Sequence, residues 1–208
     1  MVTLVLDTCT EKGLIAWIDE ALQKELFRRE FPMGFAASKL LFPIIQEGIA
    51  EVGEKVTKKI VATIGPGSYT GMRVGAAAAI SLAYGWDIEL FYVPSLFGFL
   101  PKKEGVFASL IDAKMGGFYF LLGQSEGGKV EYLSSPKRLS IEELRETLEE
   151  SCCKYIVSPH PSLILERLNL RDISGEEVTA DPCALIKVAL PCEGSLAREQ
   201  ALPLLYLN

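Results

Sequence analysis

Two apolar runs in this chain end in the same way, and that repetition narrows the folds open to it. Val2 to Leu6 closes on Asp7-Thr8-Cys9-Thr10 and is followed by a second apolar run, Gly13 to Ile18. Val106 to Ile111 closes on Asp112-Ala113-Lys114, passes Gly116-Gly117, and is followed by Phe118 to Leu122. Each unit reads as strand, aspartate, polar turn, strand. One unit opens each half, so a lobe built twice is expected. The joint falls in the charged link Pro101-Lys102-Lys103-Glu104-Gly105, which divides the chain into residues 1–104 and 105–208.

Between these units, strand and helix patterns alternate. Glu25 to Glu30 reads as a third strand, Ala36 to Val52 as a helix, and Lys59 to Ile64 as a β-branched strand. A glycine-rich loop, Gly65 to Gly71, leads into an alanine-rich helix from Met72 to Tyr84, and Phe91-Tyr92-Val93 is a strand. In the second half, Ser140 and Glu143 have capping-box spacing ahead of Leu144 and Leu148. Lys154 to Ser158 is a strand and Ser162 to Leu170 a short helix. Asp181-Pro182 is a good cap and first residue for a helix reaching about Leu190. The apolar tail, Ala201 to Asn208, should pack. The class is α/β.

Charge limits what the chain does alone. Its 208 residues carry a formal net charge of −6, and no basic stretch is interleaved with aromatics. Gripping RNA unaided calls for a basic footprint, so any work on RNA needs another subunit for the phosphates. No run of about 18 apolar residues is present to span a bilayer. Met1 to Asp7 lacks the basic start of a secretory leader, so a cytoplasmic protein is expected. The five cysteines (Cys9, Cys152, Cys153, Cys183, Cys192) form no C-x-x-C pair and read as reduced thiols.

Few residues offer chemistry. Gly65-Pro66-Gly67-Ser68-Tyr69-Thr70-Gly71 follows a strand and opens a helix, where freed N–H groups can face an anion. It lacks the lysine of a P-loop and the third glycine of a dinucleotide fingerprint. A demanding strand-to-helix turn and a phosphate site both remain open. The single histidine, His160, sits between two prolines, too little for a metal site or a Ser–His triad. Glu142-Glu143 and Glu149-Glu150 fit a solvated helix face.

The segment Gly65 to Gly75, GPGSYTGMRVG, resembles the GPGSFTGLRIG signature of TsaB proteins. Leu4 to Thr10 is similar to that family's first strand and DTST turn. Ser38 to Leu41 with Pro43 is similar to its HS-x-x-LLP helix, and Val93-Pro94-Ser95-Leu96 to its VSSL segment. Asp112-Ala113-Lys114 resembles its DAR turn, and Pro203 to Leu207 its P-x-YLR ending. Ala37 stands where the family usually has histidine, and Asn208 where it ends in arginine.

The resemblance implies a two-lobed actin/Hsp70-like fold with duplicated lobes, the second reduced. It implies that Asp7, Thr8, Thr10 and Asp112 mark a vestigial nucleotide cleft, with no metal and no cofactor. Residues of this type also satisfy turn backbone by themselves. The implied role is a non-catalytic partner of a TsaD-type catalytic subunit and a TsaE-type ATPase, in threonylcarbamoylation of adenosine 37 of ANN-decoding tRNAs. Contact with tRNA is then made only through the complex. The apolar residues Leu40, Leu41, Phe42, Ile44, Ile45, Ile49 and Val52 spread over roughly 200° of the first helix, wider than one core stripe needs. With Ala76 and Ile80 of the second helix, Leu40, Leu41, Ile44, Ile45 and Ile49 are the expected partner face, which a homodimer of the free protein would reuse. The alternative is an autonomous small kinase or phosphatase of the same fold using Asp7 and Asp112. A metallopeptidase is a third reading, opposed by the lone histidine.

Overall fold

The structure is a computed structural model that describes residues 1–34, 37–114, 116–191 and 203–206, with backbone alone at Ala37, Ser38 and Glu54. The chain divides into two compact units. The first comprises Met1–Ser95 with the described residues of Ala180–Leu205, and the second is centred on Leu96–Thr179.

In the first unit, β1 (Val2–Asp7), β2 (Lys12–Asp19) and β3 (Lys24–Pro32) form an antiparallel meander. Helix α1 (Ala37–Val52) leads to β4 (Thr57–Thr63), which pairs parallel to β1. Helix α2 (Tyr69–Trp86) then leads to β5 (Glu89–Val93), parallel to β4. The order across this part of the sheet is β5-β4-β1-β2-β3. In the second unit, β6 (Gly105–Asp112), β7 (Phe118–Glu126) and β8 (Lys129–Tyr132) are again an antiparallel meander. A short β9 (Lys137–Leu139) pairs with β7, and α3 (Ile141–Glu150), β10 (Tyr155–Ser158), α4 (Pro161–Leu168) and β11 (Ser174–Glu177) follow. Its order is β11-β10-β6-β7-β8, the same path as the first sheet. The expected duplication of an α/β unit is therefore present. The repeat is shortened, since α4 has 8 residues where α2 has 18.

Alternation along the strands sets the layers. Leu4, Leu6, Ile60 and Ala62 face one side, where Leu41 and Ile45 of α1 and Ala76, Ala79 and Ala83 of α2 complete the core. Close approach depends on small residues. A Cβ on Gly48 would lie 2.2 Å from the Trp17 ring, so glycine there lets α1 rest on it. Trp17 keeps its polar edge satisfied by donating from Nε1 to Thr57 Oγ1 at 2.9 Å. Val5 and Val61 belong to the opposite face and are equally buried. There α5 (Pro182–Val188) packs against β1, β2 and β4. Its N-cap is Asp181, whose carboxylate accepts from Ala184 N at 2.8 Å. The helix is where the sequence places it, but it completes the first unit, together with the two-residue β12 (Leu190–Pro191) beside β5.

In the second unit, α3 begins with the expected capping box. Glu143 N donates to Ser140 Oγ and Ser140 N donates to Glu143 Oε2. Its Leu144 and Leu148 pack with Phe118, Phe120, Ile156, Ile164 and Leu168. The β7–β8 hairpin was absent from the sequence reading. Gly127 and Gly128, with φ of 56° and 73°, form its two-residue turn. This is the conformation that adjacent glycines supply in tight hairpins.

Candidate functional site

At the carboxyl end of β1, Asp7 is only 1% exposed. Its Oδ1 accepts from Cys9 N at 3.1 Å and from Thr63 Oγ1 at 2.7 Å. Its Oδ2 is buried and has no hydrogen-bond partner among the described residues. Burial raises the carboxyl's pKa above its ordinary 3.8, opposed by the hydrogen bonds from Thr63 and Cys9. Cys9 Sγ lies 3.1 Å from Thr63 Oγ1, and burial also pushes its thiol far up, so it is no nucleophile. Thr10 donates to Lys12 O at 3.1 Å and serves the turn itself.

The glycine loop packs directly on this turn. Ser68 N donates to Cys9 O at 2.7 Å, and Thr8 Oγ1 donates to Gly71 O at 2.8 Å. A Cβ on Gly67 would lie 1.9 Å from Cys9 O, one on Gly71 2.0 Å from Thr8 O, and one on Gly75 2.1 Å from Thr8 Oγ1. These glycines recur every four residues, and Gly71 and Gly75 share one row of α2. Their absent side chains are what allow the helix to meet the Thr8–Cys9 backbone. Gly65 to Gly71 forms the expected strand-to-helix turn. Ser68 caps α2, accepting from Gly71 N at 3.3 Å. Gly65 and Pro66 are buried, while Ser68, Tyr69 and Thr70 are exposed.

Asp112 repeats the first turn locally. Its Oδ1 accepts from Lys114 N at 2.7 Å, two residues on, as Asp7 does from Cys9 N. The surroundings differ. Asp112 is half-exposed and ion-paired with Arg167 of α4, whose guanidinium also lies 5.0 Å over the Phe118 ring. His160 stands at the N-cap position of α4, ahead of Pro161. Among the described residues, no three His, Cys, Asp or Glu side chains are placed to hold a metal ion. Cys192, Asn208 and the side chains of Ala37 and Ser38 lie outside the described residues.

The apolar arc of α1 divides into two. Leu41 and Ile45 are 1% and 2% exposed and belong to the unit's own core, as does Ala76 of α2 at 6%. This corrects their assignment to a partner face: the 100° step turns them onto β2 and β3. Leu40, Ile44, Ile49 and Ile80 line the edge of the core and keep part of their surface. Phe42 of the same arc takes an outer position, with two tyrosines of α2 that periodicity did not single out. Phe42 is 51% exposed on α1, and Tyr69 and Tyr84 are 54% and 58% exposed on α2. The Arg73 guanidinium lies 3.9 Å over the Tyr69 ring and holds it in place. Large aromatics at positions outside the core stripe are the signal that would have found them.

Comparison with known proteins agrees with this architecture. The sequence model of the family described as TsaD: tRNA N6-adenosine threonylcarbamoyltransferase matches residues 36–150, more than half of the chain. A protein of Bacillus subtilis (strain 168) named tRNA threonylcarbamoyladenosine biosynthesis protein TsaB is 29% identical over 120 residues, covering 56% of this chain and 52% of its own length. The TsaB protein of Haemophilus influenzae is 33% identical over 128 residues, covering 56% and 51%. These matches thus span about half the length of the curated relatives. Among solved structures, an uncharacterized Pseudomonas aeruginosa protein with similarity to peptidase YEAZ superposes with a TM-score of 0.79 at 21% identity, covering 100% of this chain and 99% of its own. YeaZ from Pseudomonas aeruginosa superposes with a TM-score of 0.72 at 20% identity, covering 90% and 89%. The fold is that of YeaZ, and the chain belongs to the family described as TsaD: tRNA N6-adenosine threonylcarbamoyltransferase.

Proposed function

We propose that this chain is a non-catalytic subunit acting in tRNA threonylcarbamoyladenosine biosynthesis. It docks a TsaD-type catalytic subunit through the outer faces of α1 and α2 and supports transfer of threonylcarbamoyl to adenosine 37 of ANN-decoding tRNAs. The observation that carries this reading is the use of the glycine segment. Gly67, Gly71 and Gly75 hold α2 on the Thr8–Cys9 turn, and the Ser68 N–H is directed at Cys9 O rather than toward a phosphate. Asp112 is tied to Arg167, and Asp7 lies under the surface with Oδ1 committed to Thr63 and Cys9. The first turn thus goes into seating α2, whose exposed row carries Tyr69, Arg73 and Tyr84. Exposed aromatics with arginine are the residues that anchor protein interfaces. A net charge of −6 assigns the tRNA phosphates to other subunits, including a TsaE-type ATPase in the same cytoplasmic assembly.

A second reading, an autonomous kinase or phosphatase, draws on one observation: Asp7 Oδ2 has no hydrogen-bond partner among the described residues. Calorimetry separates the two. The proposal expects saturable binding of the purified chain to a TsaD-type subunit and no heat on titration of the chain alone with Mg-ATP. Nucleotide binding by the chain alone, with no affinity for that subunit, would establish the second reading instead.

A further inference from the structure

The segment Pro203–Leu205 lies in the first unit where the glycine loop begins. Leu205 N donates to Ile64 O at 2.8 Å, and Leu204 and Leu205 are half-buried against the core that α1 and α2 complete. Gly65 has φ of 103°, and a Cβ there would lie 2.3 Å from Met72 Sδ and 3.1 Å from Leu205 O. The loop's first glycine is therefore packed between the first turn of α2 and the returning backbone. Two more hydrogen bonds fix the same point: Ile64 N donates to Val93 O at 3.0 Å, and Ser95 N donates to Gly65 O at 2.8 Å. Of these supports, only Leu205 comes from the far end of the chain. One backbone hydrogen bond and two half-buried leucines are a small part of a unit's stability, so this support can open without the core unfolding.

We infer that Pro203–Leu205 is a tether that fixes the start of α2 and, with it, the exposed Tyr69–Arg73 end of the docking face. Release of the tail lowers affinity for the partner by loosening the loop. The coupling to a partner rests on the function proposed above; the tether itself does not. Two variants test it: a chain ending at Leu202, and Leu205→Pro, which deletes the N–H donor but keeps an apolar residue. Amide hydrogen exchange across Gly67–Met72 and affinity for the TsaD-type subunit are measured, with far-UV circular dichroism to follow the fold. The tether requires wild-type dichroism, loop amides exchanging about tenfold faster or more, and affinity weaker by about tenfold. A synthetic peptide of residues 203–208 added to the shortened chain should slow the exchange again. Loop exchange at the wild-type rate in both variants overturns the tether, and so does global unfolding of both. Faster exchange with unchanged affinity overturns the coupling. Failure of the wild-type chain to bind the subunit removes the docking reading, while the exchange arm still decides the tether.

Discussion

The same substitution at two places in α2 is predicted to act with opposite sign. Gly85→Ala meets open space, with nothing within 4 Å of the new Cβ. It should stabilise the protein by about 0.5–1 kcal/mol, the ordinary helix advantage of alanine. Gly71→Ala gains the same propensity but places its Cβ 2.0 Å from Thr8 O, about an ångström inside the 3.0 Å floor for real contacts. Thr8 is 1% exposed and already bonded to Gly71 O, so relief requires the helix to leave the turn. That move breaks the Thr8–Gly71 and Ser68–Cys9 hydrogen bonds, about 1 kcal/mol each, and disturbs close packing at a further ~1–3 kcal/mol. Setting about 1 kcal/mol of propensity against these costs leaves a net loss of about 2–4 kcal/mol. Urea unfolding at unchanged slope reads both variants as midpoint shifts. If Gly71→Ala is as stable as wild type, the glycines are not there to seat α2 on the turn, and a ligand-facing loop becomes the better account.

Asp7→Asn should flatten part of the acid stability profile. The folded pKa of Asp7 is raised by burial, so the folded state holds this proton more tightly than the unfolded chain. Wild-type stability therefore falls as pH rises from 3.8 through the raised value, then levels. The variant lacks that fall and is at least as stable at pH 7; a parallel pair of urea-midpoint profiles would contradict this. Leu41→Glu places an unpaired charge in the core and should abolish folding, whereas Phe42→Glu should keep the fold and weaken partner affinity about tenfold or more. Soluble, folded Leu41→Glu or full-affinity Phe42→Glu would refute the division of the α1 arc. Ser140→Ala removes one half of the α3 capping box and should lower stability by about 1 kcal/mol, read by thermal melting.

The repeated Asp turns, the capping box at Ser140 and the Asp181 cap were legible because each is set by neighbours a few residues away. The β7–β8 hairpin was missed: the adjacent Gly127 and Gly128 mark such a turn, but its strands carry little apolar signal. β11 is Ser-Gly-Glu-Glu, a polar edge strand whose pairing with β10 leaves no trace in hydropathy. The first sheet's dependence on α5 was hidden for a different reason. Asp181-Pro182 announces a helix, but which sheet it covers is decided by chain return, not by local pattern. The α1 arc gave a width without a direction, so Leu41 and Phe42 were indistinguishable until β2 and β3 fixed the inward side. The glycine signature was visible as a segment, yet its contact with Thr8 and Cys9 joins residues more than fifty positions apart.

The central claim is that this chain supports a transfer it does not perform. Threonylcarbamoyl-adenylate and unmodified ANN-decoding tRNA, incubated with the chain alone, with a TsaD-type subunit and TsaE-type ATPase alone, and with all three, test it by mass spectrometry of the modified nucleoside. The account predicts no product from the chain alone and robust product only when all three are present. Product formed by the isolated chain, or a full yield from the other two without it, would contradict the account.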